Sequence, residues 1–180
     1  TFWLLTLAFS LSSLTSIVIA AHLVPMLSER GYPGDLVAIA AGSVGLMQLA
    51  GRIFYTPLSE RFSLFRVSAL FFGLHGLALL CLLVLPGVWS LWLFAGFFGI
   101  ANGSLSLAKA ALVAETYGAA NYGSISGSMT SVIAFVTTFA PLGAGALHDL
   151  ANHYQTVLWL LVLASCVAVV SIMGAARQQD

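Results

Sequence analysis

Six long apolar stretches occupy most of this 180-residue chain, and each is long enough to cross a lipid bilayer as a helix. A hydrocarbon core about 30 Å thick requires about 20 helical residues to span it. A strand of a membrane barrel would be about half that length and would alternate in polarity. Transmembrane helices are therefore predicted over residues 3–27, 36–56, 67–85, 88–111, 123–147 and 156–176.

The composition supports the same conclusion. Charged residues make up 7% of the chain and apolar residues 60%, whereas an average soluble domain has about 25% charged residues. A soluble domain of this size could not cover its surface with so few polar groups. The predicted class is an all-α membrane protein with one six-helix domain over residues 1–180, and the zero net charge gives no indication of a nucleic-acid partner.

The start of the chain and its cysteines add two expectations. Thr1 is followed directly by an apolar stretch without a basic segment, so we predict no cleavable signal peptide and expect the chain to be part of a longer protein. Cys81 and Cys166 lie in apolar stretches without nearby metal-ligating residues. We expect both to be small buried hydrophobic residues, and we predict no metal and no cofactor.

The basic residues predict an orientation, because cytoplasmic loops of membrane proteins carry an excess of Lys and Arg. One side of the predicted bundle has only Arg30. The other side, which holds both termini, has five basic residues: Arg52, Arg61, Arg66, Lys109 and Arg177. The termini are therefore predicted to be cytoplasmic.

Two of the predicted spans carry polar side chains at helical spacing, which places them on one face of each helix. Polar groups inside a membrane tend to face water or a substrate, so these faces are predicted to line a cavity. The first span contributes Ser12, Thr15, Ser16 and His22, and the fourth contributes Asn102, Ser106 and Lys109.

Each of these polar residues has an alternative, purely structural interpretation. Serine and threonine can bond to the backbone of their own helix, and Asn102 can bond to a neighbouring helix. Lys109 can extend its ammonium group to the membrane interface, and His22 can be an interfacial residue that titrates there. In the fifth span, Pro141 is predicted to bend the helix.

Hydrolytic chemistry is not favoured by the sequence. An intramembrane serine protease would need a Gly-x-Ser-Gly turn and a histidine on a partner helix, and the stretch around Ser126 and Ser128 has the wrong spacing. The chain has no His-Glu-x-x-His sequence and no Walker loop. We predict that the protein is not an enzyme and has no catalytic residues.

A charged turn between the second and third spans carries a resemblance to a known family. Residues 51–63 combine a Gly51-Arg52 pair with the sequence Leu-Ser-Glu-Arg-Phe over 58–62, which resembles the signature loop of the major facilitator superfamily. Residues 22–31, 114–123 and 140–149 resemble bacterial monocarboxylate and oxalate/formate porters of that family. The chain is similar to the carboxy-terminal six helices of a twelve-helix transporter.

The resemblance implies a half-transporter built from inverted three-helix repeats, with the substrate held near mid-membrane between two halves. In this family the first and fourth helices of each half line the cavity, and these are the two spans with polar faces. The resemblance also implies a cytoplasmic gate in which Glu60, supported by Arg52 and Arg61, meets a helix of the other half. Gly51 and Pro141 are assigned to the gating residues as well, and the alternative is that Glu60 and Arg61 only cap a loop.

We therefore expect secondary active transport of a small organic solute by alternating access, with an organic anion as the candidate class. The transporter would be a symporter or antiporter in a cell membrane, specifically a bacterial inner membrane, coupled to protons or a counter-solute. Its expected partner is the amino-terminal half of the same transporter. The alternative is a non-transporting six-helix subunit or receptor-like protein.

Overall fold

The computed structural model describes residues 1–179, and nearly all of them are helical. Six helices follow one another along the chain, and no strand occurs among the described residues. The all-α prediction is confirmed, although the helices do not correspond one to one with the predicted spans. The helices are α1 (Phe2–Glu29), α2 (Gly34–Arg61), α3 (Leu64–Val84), α4 (Val88–Thr138), α5 (Ala140–Ala151) and α6 (Gln155–Ala176).

Helix α4 contains the predicted fourth span and most of the fifth. A straight helix of its 51 residues would be about 77 Å long, at 1.5 Å per residue, and could not fit a single crossing. Gly118 interrupts it with φ 75° and ψ 163°, a conformation that only glycine adopts readily. The chain reverses direction at Gly118. Residues 21 positions apart on a straight helix are about 30 Å apart, whereas Lys109 Nζ lies only 2.9 Å from Thr130 Oγ1.

A second interruption divides the predicted fifth span. Helix α4 ends at Thr138, and α5 begins at Ala140 with Pro141 in its first turn. The break lies just before the proline, as expected for a residue that lacks an N–H group and clashes with the preceding turn. The fifth crossing consequently consists of two helical segments that meet at Phe139.

Pro57 does not end the second helix, although the predicted second span ends just before it, at residue 56. Helix α2 continues through it to Arg61. A proline removes one backbone hydrogen bond, but the following residues complete another turn, and Phe62 N–H donates to the Leu58 carbonyl at 3.0 Å. Residues 51–61 of the charged turn therefore form about the last three turns of α2.

The two ends of the bundle are defined by contacts between distant parts of the chain. At one end the amino group of Thr1 contacts the side chain of Gln178, and we call this the terminal end. At the other end the Tyr32 hydroxyl donates to the Gly87 carbonyl at 3.0 Å, joining the α1–α2 and α3–α4 connections. We call this the distal end.

Glycines bring α2 and α4 into direct backbone contact. A Cβ atom at Gly103 would lie 2.1 Å from the Gln48 carbonyl oxygen, and one at Gly51 would lie 2.1 Å from the Ile100 oxygen. A Cβ at Gly99 would come within 2.6 Å of the Val44 oxygen. Close backbone approach at small residues is the usual way in which helices associate in lipid, so this contact fixes α4, and with it the site described below, against α2.

His75 is a buried polar residue on α3 that this packing leaves without a partner. Its side chain is 1% exposed, and neither ring nitrogen is hydrogen bonded within residues 1–179. Its ring instead lies 4.4 Å from the ring of Phe98, centroid to centroid.

Replacing His75 with phenylalanine is expected to raise the free energy of unfolding by about 1–2 kcal/mol, because the variant keeps the aromatic contact and removes unsatisfied polar atoms. Unfolding by SDS titration in bicelles measures the change. His153, which is exposed, provides the matched control, and its phenylalanine variant should be neutral. A destabilised H75F protein would show that the imidazole makes a bond essential to the fold.

Candidate functional site

A polar groove of about 380 Å³ runs between α1 and the part of α4 before Gly118. Five of the residues predicted to line a cavity do line it, and they come from both helices. The wall consists of Phe9, Ser12, Ser13, Ser16, Ile17, Asn102, Leu105, Ser106 and Lys109.

A side-chain hydrogen bond connects the two walls of the groove. Ser16 Oγ donates to Asn102 Oδ1 at 2.9 Å, and the same hydroxyl lies 3.0 Å from the Ser12 carbonyl. Because the asparagine oxygen accepts from Ser16, its NH₂ group is left with two donors, and these have no partner among residues 1–179. The groove therefore offers hydrogen-bond donors to an acceptor on a ligand.

Lys109 supplies the positive charge of the groove. Its Nζ donates to Thr130 Oγ1 at 2.9 Å, and the threonine hydroxyl in turn lies 2.7 Å from the Ser126 carbonyl. An ammonium group has three donors, and within the described residues Lys109 forms no salt bridge with a carboxylate. The side chain thus bonds to the fifth crossing instead of extending to the interface, and its charge is not neutralised by this chain.

Ser106 and Thr15 satisfy their hydroxyl groups within their own helices. Ser106 Oγ donates to the Gly103 carbonyl at 2.7 Å while its side chain lies at the groove. Thr15 is fully buried, donates to the Leu11 carbonyl at 2.9 Å and does not line the groove. Three residues advance a helix by about 300° and four by about 400°, so Ser16 lies closer than Thr15 to the side of Ser12 that faces α4.

His22 lies away from the groove, in a separate cluster. Its Nδ1 is 3.1 Å from the Tyr154 hydroxyl and its Nε2 is 3.1 Å from the Pro141 carbonyl oxygen. Pro141 thus contributes a backbone acceptor as well as the break in the fifth crossing. Because a carbonyl oxygen can only accept, Nε2 carries a hydrogen and Nδ1 accepts from the tyrosine when the imidazole is neutral.

The same tyrosine continues the cluster to the protein surface. The His148 ring stacks on the Tyr154 ring with centroids 4.2 Å apart, and His148 Nε2 lies 2.9 Å from Glu29 Oε1. Burial of Tyr154, together with the negative charges of Glu29 and Asp149, raises the pKa of its hydroxyl. The phenol therefore remains protonated and able to donate at physiological pH. We refer to His22, Glu29, Pro141, His148 and Tyr154 as the His22 cluster.

The predicted gating residues are divided between the interior and the surface. Gly51 is buried against α4, where its carbonyl accepts from Ser104 Oγ at 2.8 Å. Arg52, Glu60 and Arg61 are exposed on the last part of α2 and form no salt bridge within residues 1–179. Packing alone accounts for Gly51, whereas the three charged residues are available to groups outside this chain.

Sequence reasoning did not identify three members of the His22 cluster as functional candidates. Glu29 ends α1, whereas His148 lies near the end of α5 and Tyr154 directly precedes α6, more than 100 positions further along the chain. Their common signal is that each is a titratable residue near the distal end of an apolar span.

Comparison with known proteins places the chain in a family. Residues 3–178 match the sequence profile of the Major Facilitator Superfamily. The crystal structure of a mutant of the peptide transporter POT in complex with sulfate superimposes with a TM-score of 0.82 at 17% sequence identity. That alignment covers 98% of this chain but only 37% of the peptide transporter, and at this identity it shows the fold alone. No curated protein sequence matches the chain significantly.

Proposed function

Since the chain belongs to the Major Facilitator Superfamily, we propose that it is the carboxy-terminal half of a secondary active transporter for a small organic solute. Membership of this family confirms the resemblance predicted from the charged turn, and it indicates a multi-pass membrane protein that is not an enzyme. The chain spans 37% of the length of the peptide transporter. We therefore propose, for the complete protein, a transport activity that this chain would share with a second half.

The polar groove is the observation that carries the proposal. It holds Lys109, whose charge is not paired with a carboxylate within the described residues, and Asn102, whose NH₂ group has no hydrogen-bond partner there. Uncompensated polar groups at membrane depth are costly when they face lipid. A second half that covers the groove would convert it into a water-accessible cavity between halves, which is the arrangement that alternating access requires.

The chemistry of the groove favours an organic anion as the solute. Lys109 offers a charged donor and Asn102 offers neutral donors, and a carboxylate can accept hydrogen bonds from both. We further propose that the transporter is a symporter or antiporter, driven by protons or by a counter-solute.

The gate and the orientation are part of the same proposal. The exposed Arg52, Glu60 and Arg61 would meet a helix of the amino-terminal half, where the carboxylate is favoured near a helix N-terminus. The excess of basic residues on the side of the termini supports a cytoplasmic location for the terminal end. We propose the inner membrane of a bacterium as the location.

A flux assay in proteoliposomes tests the proposed function. Liposomes would contain this chain alone, or this chain together with the proposed amino-terminal half. Uptake would be measured with a panel of radiolabelled monocarboxylates, dicarboxylates and neutral sugars. We expect gradient-driven uptake of a carboxylate only in the two-half preparation.

Two results would contradict the proposal. Equal uptake by this chain alone would show that it is not half of a cavity, and absence of uptake in both preparations would favour the non-transporting subunit. A two-half preparation in which Gly103 is replaced by leucine serves as the control for leak, because that side chain cannot fit at the α2–α4 contact.

A further inference from the structure

The His22 cluster joins three helical segments near the distal end through titratable groups. His22 belongs to α1, the Pro141 carbonyl and His148 belong to α5, and Tyr154 directly precedes α6. The ring of His22 also faces α5 at Gly145, where an added Cβ would lie 3.8 Å from His22 Cε1. His22 is therefore held from two sides by residues of other segments.

From this geometry we infer that His22 is a proton-binding site connected through Tyr154 to the solvent at the distal end. In the neutral state the Tyr154 hydroxyl donates to His22 Nδ1 and His22 Nε2 donates to the Pro141 carbonyl. When Tyr154 Oη accepts a proton from the distal side, its original proton can pass to Nδ1. The products are an imidazolium at His22 and an unchanged phenol, so one proton is taken up and one positive charge is gained.

The segments around His22 carry further titratable and charged groups, which affect proton uptake electrostatically. Helix α1 carries Glu29 and is followed by Arg30, whose guanidinium donates to the Leu82 carbonyl of α3. Helix α5 carries His148, bonded to Glu29 at 2.9 Å, and Asp149. In the α5–α6 connection, His153 lies 3.4 Å from Thr156 Oγ1.

Two carboxylates near Tyr154 favour a positive charge in this cluster electrostatically. Glu29 and Asp149 act electrostatically on Tyr154, and both are exposed to solvent. A hydroxyl that accepts from His22 Nδ1–H must direct its own hydrogen elsewhere, and a carboxylate is the strongest acceptor for it. The cluster thus places surface carboxylates and the stacked His148 ring beside a tyrosine that is hydrogen bonded to a histidine within the first span.

Imidazole nitrogen NMR on this chain in lipid nanodiscs tests the inference. With ¹⁵N-labelled histidine, we expect His22 to show a protonated Nε2 and a bare Nδ1 at high pH, and two protonated nitrogens after titration between about pH 8 and pH 5, the range in which histidine changes charge. The His22→Gln variant assigns the signals. A His22 that remains neutral down to about pH 5 would overturn the inference.

Tyr154→Phe is the matched variant, because it keeps the aromatic ring and removes only the hydroxyl. The neutral His22 ring then has no donor at Nδ1, so the Nδ1 signal at high pH should move in this variant while Nε2 stays protonated. The His153→Gln variant should leave both His22 signals unchanged. An unaltered Nδ1 signal in Y154F would show that Tyr154 is not part of the site.

A role for this proton site in driving transport rests on the proposed transport function, whereas the titration of His22 does not. If the two-half flux assay fails while His22 titrates as expected, the proton site stands and the transport proposal falls. If flux is observed but His22 does not titrate, only the proton site is excluded.

Discussion

Replacing Gly103 with alanine is expected to lower the free energy of unfolding by about 3 kcal/mol, the upper part of the range for overpacked sites. The added Cβ would lie 2.1 Å from the Gln48 carbonyl oxygen and 2.8 Å from its Cα. These are backbone atoms, so no side-chain rotation can relieve the clash and the whole of α2 must move. Unfolding by SDS titration in bicelles would measure the loss.

Gly96→Ala provides the control for this prediction, since Gly96 lies on the same helix and nothing lies within 4 Å of its added Cβ. That variant should be neutral or slightly stabilising, because alanine is the better helix former. A Gly103→Ala protein as stable as Gly96→Ala would show that α2 and α4 are not in backbone contact. The expected difference follows from contact geometry alone, since the chemical change is identical.

The presence of several long apolar helices could be predicted from the sequence because each requires only local information. An apolar stretch of about 20 residues has no soluble alternative, and the spacing of Ser12 and Ser16 or of Asn102 and Ser106 places each pair near one side of its helix. That both sides line one groove was expected from the family resemblance. Position along the helix did not exclude Thr15, since the direction of the neighbouring helix decides which side of a polar stripe faces inward.

The connections and the His22 cluster depend on tertiary structure and were harder to predict from the sequence. Pro57 is tolerated because it lies close to the end of α2, and the reversal occurs at the single residue Gly118 within a predicted loop that extends from residue 112 to residue 122. The contacts of His22 with Tyr154 and Pro141 join residues more than 100 positions apart. No periodicity in the sequence reports such a pair, because it arises only when α5 packs against α1.

Replacing Lys109 with methionine is expected to weaken the apparent affinity of the two-half transporter for a carboxylate by about ten- to a hundredfold. This is the range for losing a hydrogen bond to a charged group. Methionine keeps most of the apolar stem, so packing along the groove should be preserved, and the affinity for any neutral solute should change little. Concentration-dependent uptake into proteoliposomes would give the apparent affinities.

The Thr130→Val variant tests whether the position of the Lys109 side chain matters when its charge is kept. The variant removes the hydroxyl that lies 2.9 Å from Nζ but leaves the ammonium group in the groove, so affinity should fall by only about two- to threefold. A large loss in T130V with little loss in K109M would mean that the hydroxyl, not the charge, contacts the solute. An unchanged affinity in K109M would remove the electrostatic argument for an anion, because no other lysine or arginine among the described residues lines the groove. A neutral solute held by Asn102 and Ser106 would then be favoured.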